Sequence, residues 1–254
     1  MRGGVALRLA GVAVVALLAV VVPGVLGTGP TRGERVTASF AGGATPSAEG
    51  LRALLPMKLP DPPPAPRFLI GRVNRPIDTS AGVVEPTTPL GSPTWVLVLR
   101  HHGDQARALV PSLPHAAPVR LDLRGMTLHW TRISVSIDLS QRRLAIHNGR
   151  RLVGTFRVAV GSPSTPTPTG RFFVTDRLTF PAGSVYGTFA LGLAAHQTHL
   201  PGGWSGGDQI AIHGTDVPSS IGHAASLGCI RAAPDALVLL RRLVPLGAPV
   251  VIRV

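Results

Sequence analysis

The sequence predicts a mainly β protein, a β-sandwich or barrel with one or two short helices. Three observations carry that expectation. Short runs of alternating or β-branched residues recur through the second three-quarters of the chain, separated by Gly, Pro, Asn and Asp. Glycine and proline are abundant, at 30 and 25 of 254 residues, as frequent turns require. Only one segment, near the C-terminus, shows helical spacing with helix-start chemistry.

The chain opens on MRGGVALRLAGVAVVALLAVVVPGVLGTGP. Arg2 and Arg8 form a short basic region, and Leu9 to Leu26 carries no charge. Two readings of residues 1–27 fit: a signal peptide cleaved after Gly27, or an uncleaved membrane anchor. Either exports the body of the protein to an extracytoplasmic, wall- or periplasm-type space, with the membrane touched only through this segment. Residues 28–66 read as a tether. Pro56, Pro60, Pro62, Pro63, Pro64 and Pro66 favour extended polyproline geometry.

Residues 67–130 change character. FLIGRV, TWVLVLR, ARALVP and VRLDL are short β-type runs between turn residues, a small β module. It bears a faint resemblance to bacterial SH3-like modules, without a diagnostic motif. The His101-His102 pair, followed by Gly103-Asp104, reads as a turn.

Residues 131–254 are the most clearly patterned unit. ISVSIDLS places Ile133, Val135 and Ile137 on one face. Two strands then flank Asn148-Gly149, a hairpin turn signal. GSPSTPTPTG punctuates before the strand RFFVTD, and PGGWSGGD leads into the apolar run ending at His213. Pro234 opens a helix at its first turn, Leu237, Leu240 and Val244 recur at helical spacing, and Arg241 and Arg242 close it. APVVIRV is a terminal strand.

The formal charge is +13, and Lys58 is the only lysine. No helix carries clustered arginine and no basic–aromatic alternation occurs, which argues against nucleic acid. Arginine well outnumbers aspartate in 131–254 and glutamate is absent there, so an anionic wall polymer or stem peptide is the better electrostatic match. His196, His199, His213 and His223 lack the acidic residue and spacing of a zinc-ligand set, so no metal is expected.

Cys229 is the only cysteine. In an exported protein a single thiol forms no internal disulfide, which leaves a reactive group or a small buried hydrophobe. A nucleophile needs a base and oxyanion donors. His213, at a strand end and 16 positions earlier, is the candidate base. Gly214 and Gly228 supply backbone freedom beside each.

HGTDVPSSIGHAASLGCIR closely resembles the signature of the L,D-transpeptidase (YkuD-like) catalytic domain: HGT, a Gly-containing loop, then Ser-x-Gly-Cys-Ile/Val-Arg. The likeness extends through most of 131–254, including the TPTG turn, GSVYGTFALGL and GAPVVIRV. The resemblance implies a mixed β-sandwich and cysteine acyl transfer without cofactor. It makes Cys229 the nucleophile, His213 the general base, the Gly214 carbonyl its orienting group, and the Gly228 and Cys229 N–H groups oxyanion donors. Ser226 would hold the loop on the substrate side. Arg231 would support the site or meet a substrate carboxylate, and Tyr186 and Gly187 would line the donor cleft. The implied partners are peptidoglycan stem peptides as donor and acceptor, with carbapenem β-lactams as inhibitors. The implied reaction is 3→3 cross-linking in cell-wall organisation. Resolution of the same thioester by water or a protein amine is an alternative, and an inactive wall-binding module is a third. Leu227 departs from the family, many of whose members carry a polar residue before Gly-Cys, and Ala232 stands where Met or Leu is common.

Overall fold

The computed structural model describes residues 64–111 and 117–254, so the N-terminal apolar run and most of the expected tether lie outside the described residues. No helix among the described residues is long and apolar enough to cross a membrane.

The first sheet is antiparallel throughout. Its strands are β1 (Phe68–Val73), β4 (Trp95–His102), β5 (Gln105–Leu109), β6 (Val119–Asp122) and β7 (Met126–Thr131), in the order β6-β5-β4-β1-β7. A small hairpin, β2 (Ile77–Thr79) and β3 (Gly82–Val84), sits beside it. Alternation divides the sheet into two faces. Leu69, Val98, Ala108 and Val119 stand in register on one face and belong to a local core with Ile77 and Val84 from the hairpin. Ile70, Leu97 and Leu109 stand in register on the other face and enter the main core of the molecule. His101 and His102 end β4, so the turn lies at Gly103-Asp104, one step beyond where the sequence pattern puts it.

The second sheet holds β8 (Ile133–Asp138), β9 (Arg143–Asn148), β10 (Arg151–Gly161), β11 (Gly170–Thr179), β12 (Phe189–His196), β13 (Gln209–His213), β14 (Ala224–Ser226), β15 (Ile230–Ala232) and β16 (Pro249–Arg253). Their order is β14-β10-β15-β13-β12-β11-β16-β8-β9, and β9 also pairs with β10, closing a barrel-like ring. The pairs β13–β15, β10–β14 and β16–β8 are parallel and the rest antiparallel, so the sheet is mixed. Closure depends on the two longest strands. The first part of β10 pairs with β9 and its end with β15, while β11 passes from β16 to β12. Strands that change partners along their length turn the corners of such folds. The β9–β10 loop is Gly149-Arg150, with Gly149 at φ 60°, one residue later than the Asn-Gly signal suggests. Asn148 keeps its ladder pairing with Arg151, and glycine takes the left-handed position.

The helix α1 (Pro234–Leu243) begins on proline at its first turn. Ala236, Leu237 and Leu240 enter the main core with Phe173, Leu191, Ile212 and Ile230. Its last carbonyls are capped from β11: the Arg177 guanidinium donates to the carbonyls of Arg241 and Val244. Leu237 of the helix packs against Gly214, the residue after the HGT histidine. The loop after β3 reaches the barrel, where Thr88 Oγ1 donates to the buried Asp176 carboxylate at 2.6 Å.

Candidate active site

His213 is the last residue of β13, and Cys229 directly precedes β15, the parallel neighbour of β13. Ile212 pairs with Ile230 and His213 with Arg231. Paired residues share a face. Ile212 and Ile230 therefore point into the core, both fully buried, while Ala211, His213, Cys229 and Arg231 share the opposite face. The Cys229 sulfur accepts the Ala211 N–H at 3.4 Å and lies 3.9 Å from the Gln209 carbonyl. The thiol is thus held against β13 two residues before the histidine.

His213 Nδ1 lies 2.5 Å from the Gly214 carbonyl. A carbonyl only accepts, so Nδ1 carries the proton and Nε2 keeps its lone pair. Burial lowers the histidine's pKa to about 4, against the smaller opposing effect of the Gly214 bond, and nearby Arg231 lowers it further. Burial raises the Cys229 thiol above its ordinary value, partly offset by the Ala211 N–H and Arg231. At neutral pH the resting pair is a neutral thiol and a neutral imidazole. Such a pair works by moving the proton as the sulfur attacks.

Tyr186 supports the histidine from above. Its ring meets His213 edge-to-face at 5.2 Å and lies 5.4 Å from Phe180. Gly187, at φ 66°, lies against Gly214; a Cβ on Gly187 would fall 2.6 Å from the Gly214 Cα. Leu237 of α1 closes the other side of Gly214. A cleft of about 570 Å³ opens here, lined by Gly187, Gly214, Thr215, Asp216 and Leu237. Tyr186 is on the histidine rather than among the cleft-lining residues.

Ser226 is buried, with Oγ donating to the Cys229 carbonyl at 2.5 Å and accepting the Gly228 N–H at 3.1 Å, so it holds the loop as the resemblance implies, but from the buried side and not from the substrate side. The same bond occupies the Gly228 N–H, so of the two expected oxyanion donors this one is already engaged. Gly228 earns its place through its backbone: φ is 116°, and a Cβ there would collide with the Gln197 amide. Arg231 is half-buried beside His213 and Cys229, close enough to act on both electrostatically.

Other residues hold the nucleophile loop without having been foreseen. Thr167 Oγ1 donates to the Gly228 carbonyl at 2.7 Å and accepts the Gly161 N–H at 2.8 Å. Thr165 Oγ1 donates to the Ser226 carbonyl at 2.9 Å. Buried Gln197 donates to the carbonyls of Pro166 and Leu227, each at 3.0 Å, and its own carbonyl accepts the His199 N–H. The proline-spaced GSPSTPTPTG turn is therefore a clamp on the loop, its prolines lacking competing donors. The Leu227 side chain is 37% exposed, and only its carbonyl takes part. His196 pairs with Asp208 at 3.1 Å, and His223 is exposed.

The structure is a mixed, closed β fold with a cysteine and a histidine on one face of adjacent parallel strands. Residues 132–252 match the family model of the L,D-transpeptidase catalytic domain. Bacillus subtilis YqjB, named as an L,D-transpeptidase, is 30% identical over 125 residues, which cover 46% of this chain and 69% of that protein. Bacillus subtilis YkuD, similarly named, is 36% identical over 120 residues, 47% of this chain, and the match spans 64% of its length. A solved L,D-transpeptidase from Mycobacterium smegmatis aligns with 71% of this chain and 99% of its own at 13% identity and a TM-score of 0.42. The chain belongs to the L,D-transpeptidase (YkuD) family.

Proposed function

We propose that the protein is an exported L,D-transpeptidase that forms 3→3 cross-links between peptidoglycan stem peptides. The observation that carries the reading is the His213–Gly214 bond, which commits Nδ1 as donor and leaves Nε2 free on the face that bears Cys229. The Cys229 sulfur attacks the carbonyl carbon of the third stem residue while its proton passes to His213 Nε2. The oxyanion is met by the Cys229 N–H. The bond to the terminal D-Ala then breaks, its nitrogen takes the proton from His213, and a thioester remains. The side-chain amine of a second stem attacks the thioester, gives a proton to Nε2, and the thiol is restored. No metal or cofactor enters these steps.

Arg231, a cation beside thiol and imidazole, favours the anionic species that form during attack and suits a substrate carboxylate. A carbapenem presents a strained acyl group to the same thiol, so acylation of Cys229 by one is part of the proposal. So is location outside the cytoplasm, which rests on the N-terminal sequence.

The test is intact-mass analysis of the protein and of Cys229→Ala after incubation with a disaccharide-tetrapeptide and, separately, with meropenem. Cross-linked dimer and a covalent adduct are expected for the wild type and neither for the variant. Free tripeptide without dimer would make water the acceptor. Absence of any wild-type product or adduct would sink the enzyme reading.

A further inference from the structure

The first sheet carries a feature that acyl transfer does not use. Arg100 pairs with Arg107, and Arg107 pairs with Arg120, so three arginines stand directly opposite one another across β4, β5 and β6. They share a face. Arg107 lies between Ala106 and Ala108, and Arg120 between Val119 and Leu121, all four buried in the local core, so both arginines point away from it. The register shift between Val98 and Arg100 sets the row, because without it Leu99 would stand opposite Arg107. Like charges directly opposed across strands destabilise a sheet. All three arginines are exposed, and none forms an ion pair among the described residues. The nearest carboxylate on this face, Asp122 in the next row, is already held by Arg124 at 2.5 Å.

The row is part of a longer surface. One groove, of about 500 Å³, is lined by Arg100, His101, His102, Gln105, Arg107 and Arg120. A second, of about 520 Å³, shares Arg100 and His101 and continues past Arg67, Trp130, Ser134 and Arg171. Among the described residues, no aspartate or glutamate lines either. Trp130 is 55% exposed, with the Arg67 guanidinium 4.5 Å above its ring. Neither groove includes a residue of the thiol site.

We propose that this arginine trough binds a linear phosphodiester polymer of the cell wall, held along the Arg100–Arg107–Arg120 row and the groove beyond it. Strands spaced roughly 4.8 Å apart set the row at about 10 Å from end to end, a length that suits successive phosphates of a chain better than a single ion. Arginine forks match phosphate oxygens in pairs. An exposed tryptophan with polar neighbours gives the sugar or polyol units between phosphates a flat apolar surface. A bound polyanion would also relieve the repulsion along the row. The proposal is independent of acyl transfer, and in it the small sheet keeps the enzyme on the wall.

The test is binding of the full chain to fluorescent long-chain linear polyphosphate by anisotropy, across a salt series. Orthophosphate, polyglutamate, duplex DNA and phosphatidylglycerol vesicles serve as competitors. The variant Arg100→Gln/Arg107→Gln/Arg120→Gln is expected to bind at least tenfold more weakly. Its log–log salt slope should be shallower by about two to three, as lost phosphate contacts require. The control Arg143→Gln/Arg150→Gln/Arg151→Gln, equal in charge but outside both grooves, should bind within about twofold of wild type. Arg107→Lys should lose less than Arg107→Gln, and the trough variant should melt no lower than wild type. Equal weakening in the control would overturn the proposal. So would polyglutamate competing as well as polyphosphate, or DNA or vesicles competing better. Carbapenem acylation of Cys229, measured on the same variants, is expected to stay at the wild-type rate and keeps this outcome separate from that of the acyl-transfer reading.

Discussion

The nucleophile loop of the barrel and the arginine row of the first sheet handle polar groups in opposite ways. Around Cys229 the donors and acceptors that shape the loop meet a partner: Ser226 holds both ends, Thr167 and Thr165 clamp its carbonyls, and Gln197 ties it to the proline turn. Across β4, β5 and β6 the three arginines of the row are exposed and stand opposite one another without an ion pair among the described residues. Chemistry on a carbonyl needs one geometry held to fractions of an ångström, and buried hydrogen bonds in a low-dielectric setting supply it. Capture of a long polymer needs reach and charge, and exposed side chains with freedom to adjust supply those.

Substitutions can break this contrast, beginning with the largest effect. Cys229→Ala should abolish adduct formation with meropenem while leaving the melting temperature within a few degrees, since the thiol is half-buried and makes only weak bonds. His213→Gln should slow acylation by about 10²–10⁴-fold, the usual worth of a positioned base, read as the rate of adduct growth.

The same histidine sets a pH signature. Its folded pKa lies at about 4, below the unfolded value of 6.5, so between these pH values the unfolded chain takes up a proton that the fold refuses. Stability therefore falls as pH drops through that window, by about 3 kcal/mol, and levels off below it. Thermal melts from pH 7 to 4 should show the fall in wild type and a flatter curve in His213→Gln. The acid limb of the acylation rate should lie near pH 4; a limb near 6.5 would show that the histidine is solvated in solution.

Thr167→Val removes a buried donor and acceptor while keeping the shape, and should cost about 1–3 kcal/mol by denaturant melts, with slower acylation because the Gly228 carbonyl is released. Leu227→Ala marks the small end. Its exposed side chain makes no essential contact, so stability should change by less than about 0.5 kcal/mol and acylation by less than about twofold; a clearly larger fall in acylation would bring the side chain into the cleft.

Much of this was legible before any coordinates. Alternation in ISVSIDLS and the run ending at His213 marked strands because a period of two survives any sheet arrangement. Pro234 with Leu237 and Leu240 marked the helix because capping and amphipathicity are local. Cys229 and His213 stand out because a single thiol shortly after an HGT strand end has few uses. The loop-holding role implied for Ser226 leaves its side open, because a hydroxyl beside a thiol can face either way, and only its burial shows that it bonds backward. Thr167 and Gln197 gave no signal, since a threonine in a proline turn and a glutamine after a strand are ordinary until their partners are known.

The β class, the helix, the lone thiol and the histidine at the HGT strand end follow from residue type and short spacing, because each rests on interactions within a few residues or on composition. Ring closure by β10 and β11, the clamp on the nucleophile loop and the alignment of Arg100, Arg107 and Arg120 do not. They depend on strand register, and register is settled by which rows of apolar side chains bury together. A shift of a single residue at Leu99 would have left the same sequence without the row.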